Sequence, residues 1–182
     1  MEHGPGLMTN FNPKESMIAR YLAVGLCAGM VSLSTYAQSS LASMVSQESM
    51  EWMFGQWQAQ SENGETVTLN VQWDLDKHVA VLHVKAGEME SKGYTILEPD
   101  SEYPKYYAFD NRGGVSKGSW DLENGELVLR TESQRSDRGP FKAGFIFAGS
   151  ASIGLKVSMH TIDSYGGLVS PARVSFNFKK KT

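Results

Sequence analysis

From Thr66 to Trp73 apolar and polar residues alternate without a break: Val67, Leu69, Val71 and Trp73 on one face, Thr66, Thr68, Asn70 and Gln72 on the other. Side chains of an extended chain point to opposite sides in turn, so the pattern predicts a half-buried strand. The alternation returns in Glu126–Thr131, Leu155–His160 and Arg173–Phe178, and further strand-like runs lie near Val79–Lys85, Lys92–Leu97, Lys105–Phe109 and Phe141–Ala148. About eight to ten strands fit this spacing. Between them stand Asn63-Gly64, Asn124-Gly125, Arg112-Gly113-Gly114 and Gly149-Ser150. The Asn-Gly pairs predict type I′ hairpin turns, in which both central residues take positive φ.

Before the strands the period differs. Leu41, Met44, Val45 and Trp52 recur at helical intervals, predicting a short amphipathic helix within 39–52. Short connections make consecutive strands antiparallel neighbours, and a meander of this length exposes its edges unless it closes. The expected fold is therefore all-β, an up-and-down antiparallel barrel preceded by a short helix, with a sandwich as the second architecture. A barrel of about eight strands leaves room for side chains or one small ligand, and ten leave more.

The first residues read differently again. Arg20 precedes the apolar run Tyr21–Leu33, which has the length of a signal-peptide core and is short for a membrane span. Small and polar residues follow, with a cleavage point after Ala37, so residues 1–37 read as a polar extension plus signal peptide and 38–182 as one barrel domain. Export to the periplasm or the exterior follows as an expectation. The single cysteine, Cys27, lies in the apolar run, and the residue before it, Leu26, is not the small one that a lipidated cysteine requires. The mature chain then has no thiol and no membrane anchor.

Composition narrows the partners. The 182-residue chain carries a net charge of −3 and 41% hydrophobic residues, which suits one globular domain and offers no basic footprint for nucleic acid.

One local motif points to a family. Phe54-Gly55-Gln56-Trp57 opens the first strand after the helix, and this Gly-x-Trp resembles the signature of the calycin superfamily, the lipocalins and their relatives. The resemblance spans about residues 41–179 and is nearest to exported bacterial calycin-like proteins. It implies a lipocalin-like barrel in which a basic residue of the last strand packs across the Trp57 ring, and Arg173 is the matching position. Gly55, Trp57 and Arg173 are thus expected to be structural. The resemblance brings no cofactor with it: the C-terminal histidine that ligates haem in nitrobindin-like calycins is missing.

Other chemistry-bearing residues have plain explanations. His83 and His160 lie in separate strands without the further ligands a zinc centre needs. Asp74, Asp76 and His78 alternate like the start of a calcium loop, but the loop's glycine and terminal glutamate are missing, and a turn accounts for them. Ser150-Ala-Ser-Ile-Gly154 lacks the first glycine of a nucleophile elbow. The carboxylates of Glu98–Glu102 and Asp121–Glu126 sit in turns, and Lys179–Lys181 reads as a solubilising end. No metal site or catalytic residue is expected.

The aromatic residues carry the functional expectation. Most should be core, but any space left open would form a largely apolar pocket with a few polar groups, to which His83, Tyr94, Tyr107 and Trp120 are assigned. The leading reading is a barrel holding a small apolar or amphipathic molecule. A packed, non-enzymatic interaction module acting through loops such as Ser133–Gly139 is the second, and a hydrolase or isomerase at the barrel mouth, built on a histidine beside a carboxylate, the third.

Overall fold

The computed structural model describes residues 40–181 apart from 136, 137 and 151. Ser39–Thr182 form one compact unit. The expected signal peptide, its cleavage point and Cys27 lie outside the described residues.

The helix is shorter than its periodicity suggests. α1 covers Leu41–Gln47 and is closed by a capping box, in which the Ser40 hydroxyl accepts from the Ser43 amide at 3.1 Å and the Ser43 hydroxyl accepts from the Ser40 amide at 2.9 Å. A separate 3-10 turn, Glu51–Met53, then leads into the first strand. A helix of two turns is not stable alone, and burial of Leu41 supplies the tertiary contact it needs.

Ten strands follow: β1 (Gly55–Gln60), β2 (Thr66–Asp74), β3 (Val79–Ala86), β4 (Met89–Ile96), β5 (Lys105–Asp110), β6 (Val115–Glu123), β7 (Glu126–Arg135), β8 (Arg138–Ser150), β9 (Gly154–Thr161) and β10 (Val174–Lys180). Each pairs antiparallel with the next, and β1 pairs with β10, so the sheet closes into an up-and-down barrel. Closure satisfies every strand's ladder and removes the edges that an open meander would expose. The sandwich alternative is set aside.

β6 is the strand that alternation misses. Its inward positions are Ser116, Gly118, Trp120 and Leu122, only two of them strongly apolar, while the outward Val115 blurs the phase. Turn chemistry also divides. Asn124 and Gly125 both take positive φ, as a type I′ turn requires, but at Asn63-Gly64 only the glycine does. There the Gly64 amide donates to the Ser61 carbonyl and the Ser61 amide to the Glu65 carbonyl, giving a three-residue loop instead. Asp74–His78 is the β2–β3 connection, a 3-10 turn over Leu75–Lys77.

Register fixes the pleat. Leu69 pairs with Trp57 and Val84, and Leu82 with Val71 and Gly93, so these positions face inward together. The core they form centres on Trp57, Leu69, Leu82, Trp120, Leu129, Phe147, Leu155 and Phe178. The connections alternate between two rims. The near rim, where β1 begins, carries the β2–β3, β4–β5, β6–β7 and β8–β9 turns; the far rim carries the other five.

Candidate functional site

Trp57 packs into the core beside the β1–β10 seam. Its ring is 1% exposed and its indole N–H donates to the Met53 carbonyl at 2.8 Å. The Lys180 ammonium stands over the ring, 5.3 Å from its centroid. Trp57 and Lys180 are register partners across the β1–β10 seam, so the lysine stem crosses the indole before its charge reaches water. Gly55 makes room for that stem, because a Cβ there would come within 2.8 Å of Lys180 Cε. The expectation that Arg173 covers the ring is corrected: Arg173 precedes β10, is exposed, and donates from Nε to Thr161 Oγ1 at 2.7 Å.

Among the described residues, a near and a far cavity open along the inside of the wall. The near one, about 260 Å³, is bounded by Leu41 and Met44 of α1, by Met50, Met53 and Phe54, and by Val71, Ala80 and Trp120 of the barrel. The far one, about 360 Å³, runs from Leu69, Leu82 and Phe147 to Met89, Phe141 and Val174. Trp120 is edge-on to Tyr106 at 6.1 Å and tilted against Phe147 at 5.1 Å. Trp120 lines the near cavity and the other two rings line the far one, so these rings stand between them. Trp120 is held by a hydrogen bond from its indole N–H to Thr95 Oγ1 at 2.9 Å.

Polar groups are few in the far cavity and gather toward its rim. Ser116 and Ser133 share a hydrogen bond of 2.7 Å, and Ser91 and Asp110 border the same end. Burial pushes the Asp110 carboxyl up, but amide hydrogen bonds from Gly114 and Arg112 and the nearby Arg135 and Arg112 charges outweigh it, leaving it below its ordinary range. One of its oxygens accepts both amides, at 2.7 and 2.8 Å, which ties the carboxylate to the β5–β6 turn. Tyr106 is the deeper polar group, and burial pushes its phenol up to about 12.

Of the four residues assigned to a pocket, only Trp120 reaches one. His83, Tyr94 and Tyr107 line neither cavity, because their register partners place them on the outer wall: Asn70 and Lys92 for His83, Val81 and Tyr107 for Tyr94. His83 Nε2 is 2.6 Å from Glu90 Oε1, outside the barrel, and Lys85 lies 3.3 Å from the other oxygen. That imidazole and the lysine hold the Glu90 carboxyl below its usual range. The Tyr107 hydroxyl donates to Glu98 at 2.8 Å, a bond that raises its pKa. His160 also faces outward, its Nδ1 3.0 Å from the Val169 carbonyl. No histidine lines either cavity among the described residues.

Pattern reading passes over Tyr106, Asp110 and Ser116, and it assigns Ser133 to a loop and Lys180 to a solubilising end, whereas Ser133 belongs to β7 and borders the far cavity and Lys180 stands over Trp57. Their signal was indirect: once strictly alternating β2 fixes the inward phase, counting across β3 and β4 reaches Tyr106 and Asp110.

No protein-family model matches the chain, and no curated protein matches it.

Proposed function

We propose that this is an exported, calycin-like binding protein that holds a small apolar or amphipathic molecule in the far cavity of its barrel. The observation that carries the reading is that cavity, about 360 Å³ of lumen walled by aliphatic and aromatic side chains with polar groups mainly at one end. Small-molecule sites have this character: apolar walls for affinity and sparse polar groups for orientation. The indole capped by a lysine beside the β1–β10 seam supports the calycin likeness, with Lys180 in the role expected of Arg173. The run Tyr21–Leu33 supports export. The His83–Glu90 pair lies on the outer wall, away from the lumen, so nothing favours the mouth-hydrolase reading.

Native mass spectrometry of the protein purified from its exporting cell tests the proposal. The expected result is a mature chain starting at Gln38 with a reproducible extra mass. Val84→Trp, which fills the lumen beside Leu82 and Met89, is expected to fold and lose that mass. A bare wild-type chain, or full ligand retention in Val84→Trp, would place function elsewhere.

A further inference from the structure

Tyr106 is placed by a glycine. A Cβ on Gly93 would collide with both the ring and the hydroxyl of Tyr106, so the bare backbone of β4 is what lets the phenol lie along the lumen wall. Gly118, the other glycine beside it, is the register partner of Tyr106 on β6. The ring borders the far cavity, and protein encloses it closely enough for burial to raise its pKa. Its hydroxyl makes no hydrogen bond among the described residues, and neither does that of Ser91 on the same wall, whereas the lumen hydroxyls of Thr95, Ser116, Thr131 and Ser133 are engaged.

A hydroxyl that borders the far cavity without a partner is free to donate to whatever occupies that cavity. A water molecule is a modest partner, because it wants two to four polar contacts of its own. Around Gly93 such contacts are limited to Ser91 on the same strand, since the neighbours across the sheet are Leu82 and Ala108 and Thr95 already accepts from Trp120. A carboxylate is a poorer one, since it would give up its hydration for a single hydrogen bond. A neutral acceptor attached to an apolar body loses little on entry and can take the Tyr106 hydroxyl as its donor.

We propose, building on the lumen-binding reading above, that the ligand belongs to the neutral carbonyl compounds, its oxygen accepting the Tyr106 hydroxyl while its hydrocarbon part fills the far cavity. Tyr106 sets specificity, not the capacity to bind.

The test compares two probes of nearly equal shape, acetophenone and ethylbenzene, on the full chain and on Tyr106→Phe, by isothermal titration and by the infrared stretch of the ¹³C-labelled carbonyl. Acetophenone is expected to weaken about fivefold in Tyr106→Phe, the size of one neutral hydrogen bond, while ethylbenzene changes less than about twofold. In the wild-type protein the carbonyl stretch should fall below its position in hexane, and in the variant return to it. Ethylbenzene binding with an unshifted wild-type carbonyl stretch overturns the inference and leaves the cavity reading standing; this readout does not depend on how the variant folds. If the wild-type protein takes up neither probe, the cavity reading falls and this inference with it.

Discussion

Trp57 is held at three points: a hydrogen bond to the Met53 carbonyl, the Lys180 stem across its face, and the buried aliphatic residues around it. Trp57→Ala should therefore lower stability by about 3–5 kcal/mol, read from chemical denaturation. Lys180→Ala should lower it by only about 0.5–1 kcal/mol, and Arg173→Ala by less, because Arg173 is exposed and touches neither ring nor lumen. A larger effect from Arg173 than from Lys180 would reverse the assignment. Thr95→Val tests the second indole: it leaves the buried Trp120 N–H without an acceptor and should destabilise by about 1–3 kcal/mol. The same scale shows where sequence reading stops. In Val79-Ala-Val-Leu-His-Val84 and in Lys105-Tyr-Tyr-Ala-Phe109 both faces carry apolar or aromatic residues, so alternation cannot say which set points inward. His83 and Tyr107 were assigned to the lumen for their chemistry, and cross-strand register puts Leu82 and Tyr106 there instead. The basic residue over Trp57 was likewise invisible, since Arg173 and Lys180 both lie near the same strand and only pairing distinguishes them.

One-sided burial writes a period of two into β2, β7, β9 and β10, apolar and aromatic content marks β3, β4, β5 and β8, the Gly-x-Trp motif marks β1, and β6 escapes where serine and glycine fill inward positions. The β9–β10 connection was equally unreadable, yet it is an organised strap. Leu168 lies on the outer face at Gly144, where any Cβ would collide with it; the Arg130 Nε donates to the Gly166 carbonyl at 3.3 Å; the Val169 amide donates to Thr161. Gly144→Leu should displace the strap while leaving the inner wall intact, so limited proteolysis should cut within 163–172 many times faster with the barrel's circular dichroism unchanged. Equal resistance would mean that the strap does not depend on this contact. Arg130 also bonds Glu123, and that hydrogen bond, opposed by slight burial and helped by the arginine's charge, lowers the Glu123 carboxyl below its ordinary 4.5. A depressed folded-state pKa gives stability that is present above the unfolded value and lost as pH falls through the folded one. The two side chains are about a third exposed, which limits the contribution to about 1 kcal/mol or less. Glu123→Gln should thus be slightly less stable than wild type at pH 7, and the gap should close as the pH falls through the lowered folded-state pKa of Glu123.

At the scale of the molecule, closure is the property on which the rest depends, and the seam that provides it is the shortest ladder in the barrel. β1 and β10 register only Trp57 with Lys180 and Gln58 with Lys179, with the Lys181 amide adding a bond to the Gln56 carbonyl at 2.7 Å, whereas β6 and β7 pair continuously from Val115–Gln134 to Glu123–Glu126. Amide exchange should accordingly be fastest, among the strands, along this seam. Ending the chain at Asn177 removes Phe178 from the core and Lys180 from Trp57, and leaves β1 and β10 as unpaired edges. An exposed edge is a template for pairing with another chain, so the shortened protein should elute as oligomers and melt well below the full-length chain. Because the far cavity is enclosed by strands on both sides of the seam, β2 and β3 on one and β9 and β10 on the other, the same truncation should also abolish uptake of ethylbenzene. A shortened chain that stayed monomeric and bound the probe would show that the lumen is held together by the continuous ladders alone, and that Lys180 over Trp57 is a local contact without a part in closing the barrel.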